Sequence, residues 1–218
     1  MNLGGNKLGN ENIPYLFKLP FQKLKELNLY LNQFTDFSIF RINNKKNLPN
    51  LEILKLDSNL INWNYQNQNN NNLDNILQNI KYDLSSVKVI SLNNGIFDNS
   101  SIFHIANFIL ANLEILDLGS NDFNSLSFVN NLELPSLKEF RMDISYNSEF
   151  YPLVKYKKLE VIELEENCIS KIDKLKEFID NLPKLKKFIL TKNNIDINDE
   201  ENKAILKSIF NNKTKIII

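Results

Sequence analysis

The sequence predicts an α/β solenoid, with short parallel strands stacked on one face and helices and loops on the other. Three observations predict it. First, residues 159–169 read LEVIELEENCI, with apolar residues at Leu159, Ile162, Leu164 and Ile169 and with Asn167 three places after Leu164. Side chains alternate faces in a short strand, so Ile162 and Leu164 point one way while Val161, Glu163 and Glu165 point the other. Asn167 then ends the strand, where its amide can satisfy backbone groups as the chain turns. Second, the same spacing recurs from first positions at Leu24, Leu51, Val87, Leu113, Leu137, Leu159 and Leu185. These copies are about 22 to 27 residues apart, with one wider gap of about 36. Third, helical apolar spacing appears between copies, as at Ile172, Leu175, Phe178, Ile179 and Leu182. A unit with one apolar strand face and one apolar helix face cannot hide both alone, so units must stack.

Taken in order, residues 1–23 form the tail of an eighth unit, with Leu3, Asn6 and Leu8 in the last-leucine, asparagine and following-apolar positions. Leu24, Leu27, Leu29, Asn32 and Phe34 make a full copy, followed by a short helix carrying Phe37, Phe40 and Ile42. Leu51, Leu54, Leu56, Asn59 and Ile61 make the next. The insertion at 62–72 is asparagine-rich and too polar to pack, which predicts a loop. Its Trp63 and Tyr65 either cover the flank of the solenoid or offer an aromatic contact to a partner. Leu73, Ile76, Leu77 and Ile80 have helical spacing and lead into Val87, Ile90 and Leu92, where Gly95 replaces the asparagine. Ile102, Phe103, Ile105, Phe108, Ile109 and Leu110 predict a helix face before Leu113, Leu116, Leu118, Asn121 and Phe123. The copy at Leu137, Phe140 and Met142 is the least regular, with Ser145 in the asparagine position, and 145–152 should be irregular. Leu185, Phe188, Leu190, Asn193 and Ile195 form the last full copy. Asn198 or Asp199 can cap a helix through Ala204, Ile205 and Ile209, with acids in its first turn to suit the dipole. Residues 214–218 read as one more strand.

This pattern resembles the leucine-rich repeat family over nearly the whole chain. The longer units, and the turn NLGGNKLGNEN near the start, resemble its ribonuclease-inhibitor-like members. The resemblance implies one domain over 1–218, a curved horseshoe or arc with strands on the concave face and helices and loops on the convex face. The 62–72 loop and a C-terminal helix and edge strand at 199–218 are additions to it. It also implies a non-catalytic binding scaffold.

Composition narrows the classes of function. The charges balance, with 26 Lys and Arg against 26 Asp and Glu, which argues against nucleic acid as the main partner, because phosphate binding shows as a basic excess or stripe. The single cysteine, Cys168, cannot form an internal disulfide, which favours a reducing compartment. Residues 1–10 hold no apolar run of the secretory type, and no stretch approaches the roughly 20 apolar residues of a membrane span. The expected location is cytoplasmic, with a cytoskeletal or ciliary role as one form of it. Asparagine is over-used and Lys outnumbers Arg, which points to an AT-rich genome of protist type.

Side chains between the leucines form three columns on the concave face. The first holds Glu26, Ile53, Val89, Ile115, Glu139, Val161 and Lys187. The second holds Asn28, Lys55, Ser91, Asp117, Arg141, Glu163 and Ile189, and the third Tyr30, Asp57, Asn93, Gly119, Asp143, Glu165 and Thr191. Tyr30, Ile53, Lys55, Asp57, Val89, Ile115, Asp117, Arg141, Asp143, Glu163 and Glu165 are the candidate partner-binding residues. Ile53, Val89 and Ile115 form an apolar strip in successive units, which either reflects the strand preference of β-branched residues or accepts partner side chains. The carboxylates, with Glu166, make the same face acidic, either as a solvated surface or as a site for a basic partner. Lys171, Lys174, Lys176, Lys184, Lys186 and Lys192 give a basic flank, either solvated or facing an acidic surface. Ile216, Ile217 and Ile218 end the chain in an apolar edge, which invites pairing with a neighbour in an assembly.

No catalytic, metal-binding or cofactor constellation emerges. His104 is the only histidine and sits in the apolar run 102–110, with no second catalytic group in a motif near it. Cys168 is expected to be a small buried thiol, without a partner at metal-ligand spacing. The reading is therefore a scaffold that is a subunit or module of a larger hetero-complex, bound to protein and not to nucleic acid or membrane. The alternative is a regulator of an enzyme, of inhibitor or GTPase-activating type, for which Arg141 is the one phosphate-facing candidate.

Overall fold

The repeats build one parallel sheet of eight strands in a computed structural model that describes residues 1–16, 18–19, 21–35, 48–61, 82–99, 105, 108–209 and 213–218. Its strands, in sequence order, are β1 (Glu26–Asn28), β2 (Ile53–Lys55), β4 (Val89–Ser91), β6 (Ile115–Asp117), β7 (Glu139–Arg141), β8 (Val161–Glu163), β9 (Lys187–Ile189) and β10 (Lys215–Ile217). In the seven full copies the strand begins two residues after the first leucine position, and the register pairs equivalent positions throughout. The central residue of each is apolar: Leu27, Leu54, Ile90, Leu116, Phe140, Ile162 and Phe188 are buried, and Ile216 packs against the same core. In the first seven strands its neighbours on either side are half-buried on the open face of the sheet. A one-residue slip would turn every leucine outward, and for that reason the leucine spacing alone sets the register.

The asparagines form a buried ladder at the strand exits. Asn59 donates to Leu29 O at 3.0 Å and Leu56 O at 2.9 Å, while its Oδ1 accepts from the Phe34 N–H at 3.2 Å. The same pattern holds at Asn32, Asn121 and Asn193. The N-terminal unit joins it, because Asn32 donates to Leu3 O and Leu8 N–H donates to Asn32 Oδ1. Gly95 breaks the ladder, and a Cβ there would lie 2.9 Å from Asn121 Oδ1. Ser145 keeps part of a rung, its hydroxyl donating to Asn121 O at 3.1 Å.

The residue before each ladder position is left-handed. Gly5, Leu31, Ser58, Asn94, Ser120, Ile144, Glu166 and Lys192 all have φ between 50° and 71°, and Gly5 is the sole glycine among them. Such a conformation costs an L-residue about 1–2 kcal/mol. It is offset by a backbone bond that carries the ladder one step beyond the strand, as in Leu31 N–H to Asp57 O at 2.8 Å and Ile144 N–H to Glu165 O at 2.9 Å.

Behind the sheet the described chain is mostly loops and short 3-10 turns, with helices at Ile13–Leu16, Leu175–Asp180 and Glu200–Ile209. The last is capped as expected, since Asp199 Oδ1 accepts from Asn202 N–H at 2.9 Å. Aromatic residues fill the C-terminal core, where Phe150, Phe178 and Phe188 meet at centroid distances of 5.0 to 5.7 Å.

Two expectations are corrected. Phe108 and Ile109 belong to a strand, β5 (Phe108–Ile109), paired in parallel with β3 (Tyr82–Asp83), and not to a helix face. Tyr82 meets Phe108 edge to face at 5.5 Å, so an inter-unit aromatic contact overrides the helical spacing. Cys168 is exposed rather than buried. Asn167 and Ile169 on either side of it point inward, so the alternation of an extended segment turns the thiol out. The segment 145–150 holds no regular element, and a 3-10 turn follows at Tyr151–Lys155. The expected helices carrying Phe37, Phe40 and Ile42 and spanning 73–80, the 62–72 loop with Trp63 and Tyr65, and Ile102, Phe103 and His104 lie outside the described residues.

Candidate interaction surface

Register pairing places Ile53, Val89 and Ile115 side by side on the open face, giving a half-buried apolar strip across β2, β4 and β6. Carboxylates flank it. Asp57 accepts hydrogen bonds from the Ser91 hydroxyl and from the Asn93 N–H at 3.0 Å. Asp117 accepts from the Gly119 N–H at 3.0 Å and from Asn93 Nδ2 at 3.3 Å. A Cβ at Gly119 would meet Asn93 Nδ2 at 2.6 Å, so a larger residue there would push the Asn93 amide aside. Tyr30, at the N-terminal end, is 41 % exposed, and its ring lies over Gly4, so a side chain there would displace it.

Towards β9 the charges neutralise one another. Arg141 bonds Glu139, and its Nε lies 3.2 Å from Glu163 Oε2. Burial disfavours the charged guanidinium, yet Glu139, Glu163 and Asp117 together raise its pKa further. Lys187 sits 3.4 Å from Glu163, Lys192 pairs with Glu165 and Glu166, and Lys55 reaches Glu26 at 3.0 Å. The expected C-terminal acidic half is thus largely paired, and Arg141 is clasped rather than available to a phosphate.

Asp143 differs. Burial first, then the charges of Glu163, Asp117 and Glu165, push its pKa up to about 6, against the Glu165 N–H bond at 3.2 Å that holds it down. The raised value means the folded state holds the proton over a range where the unfolded chain, titrating near 4, has released it. Stability from this group is therefore full below about pH 4 and is lost as pH rises to about 6. Asp143→Asn is expected to raise stability at pH 7 by on the order of 1 kcal/mol after solvent screening, with the gain gone at pH 4. Urea melts of both proteins at the two pH values check this.

One ordered feature was missed by reading only the three columns. The residue after each first position runs Lys25, Glu52, Lys88, Glu114, Lys138, Glu160, Lys186, alternating in sign along the sheet. Glu52 bridges Lys25 at 3.1 Å and Lys88 at 2.8 Å, Glu114 pairs with Lys138 at 2.9 Å, and Glu160 pairs with Lys186 at 2.5 Å. Hydrogen bonds from Lys88 and Lys25 hold the Glu52 carboxyl below its usual range. Solvent keeps such pairs weak, but a shift by one unit would set like charges opposite each other. The signal was in the sequence, one residue from the column that was read.

At the C-terminal end the three isoleucines do not share a surface. Ile216 packs on the core, Ile217 pairs with Ile189 towards the open face, and Ile218 is 39 % exposed. Among the described residues no cluster of His, Cys, Asp and Glu suits a metal ion, and no helix is long and apolar enough to cross a membrane.

No family model matches the sequence, and neither does any curated protein. Solved structures do. Internalin C2 from Listeria monocytogenes is similar over 100 % of this chain and 77 % of its own, with 23 % identity and a TM-score of 0.56. TLR13, in a complex with ssRNA13, is similar over 88 % of this chain and 24 % of its own, at 19 % identity and a TM-score of 0.59. A leucine-rich repeat protein of Leptospira interrogans matches over 90 % of this chain and 49 % of its own, at 21 % identity and a TM-score of 0.57. With its seven repeats in register, its asparagine ladder and these likenesses, the chain has the fold of a leucine-rich repeat solenoid.

Proposed function

We propose that the chain is a non-catalytic protein-interaction module, one part of a larger intracellular complex, and that the open face of its sheet grips a positively charged partner segment. The observation that supports this best is the apolar strip Ile53, Val89 and Ile115 bordered by Asp57, Asp117 and Asp143, which make hydrogen bonds but no ion pair among the described residues. Apolar partner side chains would lie on the strip while Lys or Arg pair with the flanking carboxylates. One similar structure is a complex with ssRNA, but carboxylates bordering the strip repel phosphate, which disfavours nucleic acid here. The enzyme-regulator reading loses its one candidate group, because Arg141 is held between Glu139 and Glu163.

Affinity purification from lysate of the source organism tests this, with light scattering on the purified chain. A basic partner should be recovered by the wild type and lost by an Ile53→Glu, Ile115→Glu variant and by Asp57→Asn with Asp117→Asn, both folded by circular dichroism. A partner retained by these variants but lost on removal of residues 215–218 would move the site to the end of the solenoid and overturn the open-face reading.

A further inference from the structure

We propose that a cavity on the loop side of β6 and β7 is a socket for an arginine side chain of a partner protein, a site independent of the open face. The cavity is a half-open cleft of about 330 Å³, with Asn121 and Ser145 in its lining. That is at the small end for ligand pockets, which span about 300–1,000 Å³, so it suits one long side chain better than a cofactor. It opens where the ladder position is a serine, a smaller side chain than the asparagine of most units.

Four side chains shape its chemistry. Tyr146 is 67 % exposed and Ile144 is 55 % exposed, so two large side chains stand in water at the cleft. Asp122 and Tyr146 occupy equivalent positions in neighbouring units, joined by the Tyr146 N–H to Phe123 O bond at 2.8 Å, and both line the cavity. Glu166 is held by Lys192, which leaves Asp122 as the cavity carboxylate with no ion pair among the described residues. Ile144 is held at φ 53°, where a β-branched residue is disfavoured and glycine or asparagine would sit more easily. Ile144 lines the cleft as its apolar wall.

A guanidinium satisfies all of this at once. Its plane stacks on the Tyr146 ring, its forked N–H groups match the Asp122 carboxylate, and its methylene stem runs along Ile144. Lysine would offer a point charge without the stacking plane.

The test is an ¹⁵N-NMR titration of the full chain with the peptide Ac-Gly-Arg-Gly-NH₂ and its neutral citrulline counterpart. Saturable shifts are expected at residues 120–122 and 144–146 with the arginine peptide. Affinity should fall about tenfold with citrulline, with Asp122→Asn and with Tyr146→Ala, the loss of one charge-assisted contact. Ile144→Asn should raise the melting temperature while weakening the same binding, which separates the wall from a merely structural role. Equal shifts with both peptides would overturn the proposal. So would shifts that fall on Asp57, Asp117 and Asp143 and survive in Asp122→Asn, which would return the charge reading to the open face.

Discussion

Asn121→Leu is expected to destabilise the protein by about 3 kcal/mol or more, although the two side chains are similar in size. Asn121 is 4 % exposed, and its Nδ2 serves Leu92 O and Leu118 O, both at 2.9 Å, with Gly119 O at 3.0 Å. Its Oδ1 also accepts from the Phe97 N–H at 3.1 Å. Gly119 O keeps the Asn94 N–H at 2.9 Å, so two carbonyls lose the amide that serves them and the Phe97 N–H loses its bond to Asn121. An orphaned buried polar group costs about 1–3 kcal/mol, and that sum is a large part of a typical total of about 5–15 kcal/mol. Urea denaturation should show a lower midpoint with the slope unchanged. A midpoint within error of the wild type would mean that the ladder is ornamental and that leucine burial alone holds the units. Asn121→Ser should be milder, because Ser145 shows that a hydroxyl can keep part of a rung.

Phe188→Ala should cost about 3–5 kcal/mol, the range for removing a fully buried aromatic ring. Phe188 is fully buried at the centre of β9, with ring centroids of Phe178 at 5.5 Å and Phe150 at 5.7 Å. Those partners come from the helix Leu175–Asp180 of the preceding unit and from the irregular segment two units back, so the ring ties three units together. In a solenoid a unit's contacts reach only the units close to it. The loss should therefore concentrate near β9, seen as faster amide exchange at 185–190 than at β4. Uniform acceleration across the sheet would show instead that the array melts as one cooperative block.

The repeat itself was legible because burial in it is local and periodic. Leucine spacing places the strand two residues after the first position of each full copy, and the period-two alternation leaves one register open to it. The asparagine positions, the partial unit at Leu3, Asn6 and Leu8, and the capped helix after Asp199 follow from the same short-range chemistry. The alternating Lys and Glu series was equally available and needed only a comparison of equivalent positions.

What lay beyond the linear chain depends on side chains that come from neighbouring units, some 25 residues apart in sequence. Glu163 reads as an acid, but Arg141 and Lys187 reach it from the strands on either side, so the charge it offers a partner is small. Asp143 reads the same way, yet it packs among carboxylates from β6 and β8 and holds its proton to about pH 6. Phe108 has helical spacing, and Tyr82 draws it into a strand. The left-handed turn at Ile144 follows from no propensity of isoleucine; the backbone bond to Glu165 in the next unit imposes it. Periodicity determines where each residue stands in its own unit, while its charge, exposure and backbone strain are set by the unit stacked against it.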